Sequence, residues 1–210
     1  MSDGLTLRLV RLDDAPPQPW RNGGGVTREL LAWPDAADWQ LRISVADIER
    51  DGPFSRFPGV TRWFCVLQGD GVHLAVGGTP HRLRPGDAPL VFSGEAETEA
   101  WLSGGATRDL NLMLRGCPGA LLPAQPGVAW QPPAAPWGLF TMGGGRVVAS
   151  GAAAALRAPM ALSPRTLLAG FEAPDGALQF ETDAPGAGAW WWWAGTPQAS
   201  PTNAQTWSPS

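Results

Sequence analysis

Trp39, Leu41, Ile43 and Val45 alternate with Gln40, Arg42, Ser44 and Ala46, so one side of this segment is apolar and the other mixed. Successive side chains of an extended chain point to opposite sides, and a period of two therefore predicts a β-strand with its apolar face on a core. Asp109, Asn111 and Met113 alternate with Leu110, Leu112 and Leu114 in the same way. Thr61 to Gln68 reads as a more continuously apolar strand, closed by Gly69-Asp70-Gly71. Val72 to Val76 and Pro80 to Leu83 flank Gly77-Gly78, a dipeptide suited to hairpin turns that need positive φ. Arg84-Pro85-Gly86-Asp87 then turns the chain before Pro89 to Phe92.

Such punctuation continues throughout. The 27 glycines and 22 prolines in 210 residues favour many short elements over long helices. Strand-like runs resume at Gly138 to Met142, Arg146 to Ala149, Arg165 to Phe171 and Leu178 to Glu181, and Ala152 to Ala158 is a candidate short helix. Short strands at this spacing predict an all-β sandwich or jelly roll. The proline- and alanine-rich stretch from Cys117 to Pro136 reads as a connection, which divides the chain into lobes at 1–116 and 117–194, with a flexible polar tail at 195–210. Trp190 to Trp193 cannot all face one way on a strand. Burial on both faces is the favoured reading, and exposed rings docking a partner the alternative.

Composition narrows the chemistry. With a net charge of −4 and no basic cluster, nucleic acid and an anionic membrane surface are not expected partners. All 15 basic residues are arginine, so Schiff-base chemistry and a phosphate-loop lysine are excluded, while planar forks suited to carboxylates abound. No tyrosine exists to act as a catalytic phenol. The two cysteines, Cys65 and Cys117, are too few for a disulfide framework, and the start shows no basic stretch followed by an apolar run. A cytoplasmic location is the expectation, with no segment long enough in apolar residues to span a bilayer.

The densest polar chemistry surrounds three consecutive glycines in Trp20-Arg21-Asn22-Gly23-Gly24-Gly25-Val26-Thr27-Arg28-Glu29. The spacing matches neither a dinucleotide fingerprint nor a Walker loop, and reads instead as a bend that presents Trp20, Arg21 and Asn22. This run, Gln40 to Ala46, Asp51-Gly52-Pro53-Phe54-Ser55-Arg56-Phe57-Pro58-Gly59-Val60-Thr61-Arg62, and Asp109-Leu110-Asn111-Leu112-Met113 fall in order over the N-terminal half. Together they resemble the HutD/Ves family, whereas the C-terminal half matches only in general character. Leu67-Gln68-Gly69-Asp70-Gly71 followed by Leu83-Arg84-Pro85-Gly86-Asp87 is also similar to the cupin arrangement of a strand, a glycine turn and a proline-glycine-aspartate turn. The resemblance implies a double-stranded β-helix bicupin and an accessory, non-enzymatic role linked to histidine catabolism or stress.

A metal-dependent cupin needs clustered histidines and a carboxylate. Only His73 and His81 exist, and Glu95, Glu97 and Glu99 stand where a second histidine motif is expected. No metal or other cofactor is therefore expected. Ser44, Ser55 and Cys117 lack a recognisable activating base in their sequence surroundings. What remains is binding: Trp20, Arg21, Asn22, Arg28, Arg42, Ser44, Arg62, Asp109 and Asn111 form the candidate ligand set, with Arg42 and Asn111 best placed by alternation to face a pocket. The expected ligand is a small carboxylate such as urocanate or formylglutamate, and a homodimer is compatible with this reading. Three alternatives stay open. The charged residues Arg28, Glu29, Arg42 and Asp109 could form ion pairs that lock the sheet; Glu29 or Asp109 could serve an isomerase or hydrolase as acid or base; or the chain could be a stress-related interaction module.

Overall fold

The computed structural model describes residues 5–150 and 158–196. The candidate helix at Ala152 to Ala158 lies outside these residues except for its last member, and so does the expected tail beyond Thr196. Within them the chain is built from antiparallel strands, plus a single 3-10 turn at Leu12–Asp14.

The first half forms two sheets. The larger runs in the order β2 (Pro17–Pro19), β3 (Gly25–Trp33), β4 (Leu41–Ile48), β11 (Thr107–Arg115), β6 (Val60–Gln68), β9 (Leu90–Ser93). The smaller is β5 (Gly52–Pro53), β10 (Thr98–Leu102), β7 (Val72–Val76), β8 (Thr79–Leu83). The second half repeats this plan. Its five-stranded sheet is β1 (Leu7–Arg11), β17 (Thr166–Gly170), β14 (Trp137–Thr141), β19 (Ala189–Ala194), β12 (Gly119–Pro123), and its four-stranded sheet is β13 (Ala129–Trp130), β18 (Ala177–Thr182), β15 (Gly145–Ser150), β16 (Met160–Leu162). This is the all-β, jelly-roll bicupin.

Three apolar layers separate the four sheets. Leu41, Ile43 and Val45 of β4, with Leu110, Leu112 and Leu114 of β11, pack against Phe140, Leu167, Trp190 and Trp192 of the second half. The alternation of these strands thus places their apolar faces between the halves and their mixed faces inside the first lobe. Ile48, Phe64 and Val66 meet Val72, Leu74 and Leu83 within that lobe. In the second lobe, Trp137, Leu139, Leu168 and Trp191 meet Val147, Leu178 and Phe180.

Two expectations need correction. The stretch from Cys117 to Pro136 is more than a connection, because it contains β12 and β13. Pro123 sits in a strand because β12 is the sheet edge, where a missing N–H breaks no ladder. The boundary at 116 also fails for the N-terminus, since β1 pairs with β17, Leu7 opposite Gly170 and Arg11 opposite Thr166. The first strand thereby belongs to the second lobe's sheet. The hairpin at Gly77-Gly78 forms as expected, with φ of 53° and 81°. Three of the four tryptophans of β19 are buried, on both faces: Trp190 and Trp192 enter the layer between lobes, while Trp191 enters the second lobe and stacks on Trp130 at 4.6 Å between centroids; Trp193 is half-buried beside it.

Candidate functional site

On the mixed face of the first lobe's larger sheet opens a cavity of about 710 Å³. Its wall follows from strand parity. Arg42, Ser44, Ala46 and Ile48 line it from β4, Arg62 and Phe64 from β6, and Asn111 and Met113 from β11, each series advancing by two residues. Asn111 lies opposite Ser44 on one side and Phe64 on the other, so their side chains share a face. Phe54, Ser55 and Phe57 close one side, and the turn between β2 and β3 adds Trp20, Arg21 and Asn22, with Trp20 next to Phe54.

That turn is held by its own chemistry. Gly23 N–H donates to the Trp20 carbonyl at 3.0 Å, and the Asn22 side-chain oxygen accepts from Gly24 N–H at 3.0 Å. Gly23 has φ of 67°, and a Cβ on Gly25 would overlap the Asp47 carbonyl, so the bend needs glycine at both positions. Trp20 Nε1 donates to Thr27 Oγ1 at 2.8 Å, which fixes the indole against Phe54, edge to face at 6.2 Å.

Arg62 is the electrostatic centre of the cavity. It is 5% exposed, and its Nη2 donates to Asn111 Oδ1 at 3.0 Å, while Nε has no partner among the described residues. No carboxylate among them lies within ion-pair distance. Instead the guanidinium lies 5.2 Å from the Phe54 ring, 5.7 Å from Phe57 and 5.0 Å from Phe92. Aromatic faces attract a cation but do not replace its water or neutralise its charge. Burial, with the neighbouring charge of Arg42 adding to it, pulls the Arg62 pKa down to about 10. It remains a cation at neutral pH. Arg42 differs, since its Nε donates to Glu29 Oε2 at 2.7 Å.

Two expected members do not line the cavity. Arg28 lies one residue after Thr27, on the other face of β3, where it donates to Asp47 at 2.8 Å; Arg108 grips the same carboxylate at 2.6 Å and 3.0 Å. Asp109 shares the face of Asn111 but sits deeper, fully buried between Ala46 and Val66 in register. Its Oδ2 accepts from Thr107 Oγ1 at 2.9 Å, Oδ1 has no partner among the described residues, and burial pushes its pKa up to about 8. The anticipated sheet-locking ion pairs are realised in altered form: Arg42 pairs with Glu29, Arg28 with Asp47, and Asp109 with no arginine among the described residues.

Phe54, Phe57, Phe64, Thr27 and Met113 line the cavity without having been singled out in the sequence. A signal existed for most of them, because Phe64 and Met113 follow Arg62 and Asn111 by two, and Phe54 and Phe57 lie inside a quoted motif. His73 and His81 stand away from the cavity on the β7–β8 hairpin. His73 is paired with Arg82 and His81 with Leu74, which puts the two imidazoles on opposite faces of the sheet. No helix among the described residues is long and apolar enough to cross a membrane.

Comparison with known proteins places this arrangement. A 21.2 kDa protein from the hutC 3' region of Pseudomonas putida is 48% identical over 112 residues, 51% of this chain and 57% of its own. Protein Ves of Citrobacter koseri is 42% identical over 103 residues, 48% of this chain and 53% of its own. The chain thus spans about half the length of the curated relatives it matches. A crystal structure of a conserved protein of unknown function from Pseudomonas aeruginosa PAO1 superposes with a TM-score of 0.79 at 28% identity, covering 91% of this chain and 99% of that one. The HutD family pattern matches residues 12–186, and the chain belongs to the HutD family.

Proposed function

We propose that the first lobe binds a small carboxylate and that the protein is a non-enzymatic accessory component linked to histidine utilisation. The observation that carries this reading is Arg62, a buried cation with no carboxylate among the described residues and a guanidinium facing a cavity. A guanidinium taken out of water needs an anion or a full set of acceptors, and a ligand carboxylate supplies both in bidentate geometry. Ser44 and Asn111 add neutral hydrogen-bonding groups beside it, while Trp20, Phe54, Phe57 and Phe64 offer apolar walls to the rest of the molecule. A relative from the hutC 3' region supports the metabolic setting and makes urocanate and formylglutamate the first candidates.

The acid-base alternative gains no support from the geometry. Glu29 is engaged by Arg42, and Asp109 does not reach the cavity. Titration calorimetry with urocanate, formylglutamate and histidine is the direct test, alongside thermal melts, since a ligand of the native state raises Tm. Urocanate or formylglutamate should bind the native protein and lose at least tenfold in affinity to Arg62→Leu. An absence of heat and of any Tm shift with all three compounds would sink the proposal.

A further inference from the structure

Glu29 lies on the cavity side of β3 by ordinary alternation from Thr27, immediately before an irregularity in the strand. Before it, Thr27 is opposite Ala46 and Glu29 opposite Ser44; after it, Leu31 is opposite Ile43 and Ala32 opposite Arg42. Leu30 is the extra residue, and Leu30 and Leu31 are both buried in the layer between lobes. The bulge therefore lets two consecutive apolar residues share one face, while Glu29, just before it, keeps the face of Thr27, beside Arg42. There the carboxylate accepts from Arg42 Nε at 2.7 Å, with only 17% and 25% of the two side chains exposed.

The charges then add up unequally. Arg42 lines the cavity but is matched by Glu29, whereas Arg62 lines it with no counterion among the described residues. Arg21 is exposed at the rim, where water and salt screen it. A second anionic group on a ligand, drawn toward Arg42, would meet Glu29 and its repulsion.

We infer that Glu29 determines the anion selectivity of the cavity: by cancelling the charge of Arg42 it leaves one net cation, Arg62, and the site takes a monocarboxylate in preference to a dicarboxylate. The inference rests on the carboxylate-binding reading above and deepens it. Glu29 acts through Arg42 and is a positioning residue, holding one edge of that guanidinium so that its other edge donates hydrogen bonds without adding net charge.

The matched probes are N-formylglutamate and N-formylglutamine, which have similar shape but differ by one negative charge, titrated calorimetrically at low ionic strength. Wild type should bind the monoanion about tenfold more tightly. Glu29→Gln should bring the ratio to unity or reverse it, and the double variant Glu29→Gln, Arg42→Gln, which restores the original charge count, should restore the preference. Arg42→Gln alone should weaken the dianion more than the monoanion, giving a separate readout should Glu29→Gln misfold. An unchanged ratio in Glu29→Gln, or a double variant that behaves like the single, overturns the inference while leaving carboxylate binding intact. If neither probe nor urocanate binds the wild type, both readings fall.

Discussion

The two lobes share a plan but treat their interiors oppositely. In the first, Ser44, Arg62, Thr98, Thr107, Asp109 and Asn111 are buried polar or charged residues; in the second, Thr141 and Thr166 are the ones among the described residues. The second lobe fills its interior with Trp137, Leu139, Trp191 and Phe180, whereas the first keeps an open, partly polar cavity. Filled apolar interiors are stabilising, while buried polar groups with incomplete partners cost free energy. Among the described residues, unpartnered buried polar atoms occur in both lobes, at Thr141, Thr166 and Trp192 in the second and at Arg62 and Asp109 in the first, but only in the first does one belong to a guanidinium beside a cavity.

The contrast can be broken most forcefully at Trp191. Trp191→Ala removes a ring that is 2% exposed and stacked on Trp130, and should cost about 3–5 kcal/mol in denaturant unfolding, as large-to-small aromatic changes in cores do. A loss below about 1 kcal/mol would show that the second lobe's packing is not what holds it.

Asp109 offers a pH test confined to the first lobe. Its folded pKa of about 8 lies above the ordinary carboxylate value, so the native state holds a proton that the unfolded state releases near pH 4. Its contribution is complete below pH 4 and fades as pH rises through 8. Stability should decline over that window, and Asp109→Asn should flatten the decline. Urea midpoints collected from pH 5 to pH 9 measure it, and equal slopes in both proteins would refute the assignment.

Arg62 sharpens the comparison from the other side. Replacing it with leucine forfeits the Asn111 hydrogen bond and the ring contacts but removes an uncompensated buried charge. Its unfolding free energy should stay within about 1 kcal/mol of wild type or rise above it, although binding is lost. A large loss of stability would mean that Arg62 is a structural brace. The smallest effect is expected at the exposed Arg146–Glu181 pair of the second lobe, where Arg146→Gln should change stability by less than about 1 kcal/mol.

Local pattern made much of this molecule legible. The alternations around Leu41 to Ala46 and Asp109 to Leu114 announced strands, and the same parity aimed Arg42, Ser44 and Asn111 away from the apolar layer. It failed at Arg28, because neighbouring polar residues Thr27, Arg28 and Glu29 carry no apolar rhythm to tell the faces apart. It failed differently at Asp109, where parity assigned the face correctly but depth below the cavity depends on Thr107 and the neighbouring strands. The proline-rich stretch concealed β12 because proline is tolerated at a sheet edge, and edges are defined only by the assembled sheet.

By itself the chain's order of residues determined what local physics governs: short strands between glycine and proline turns, a bend at Gly23 to Gly25, and two-sided burial for the tryptophans of β19. Tertiary structure decided what depends on distant partners. It joined β1 to β17 across the whole chain, paired β3 with β4 so that Glu29 meets Arg42, and left Arg62 among three phenyl rings without a counterion among the described residues. The charge of a cavity is a sum over residues far apart in sequence, and only folding brings them close enough for that sum to act.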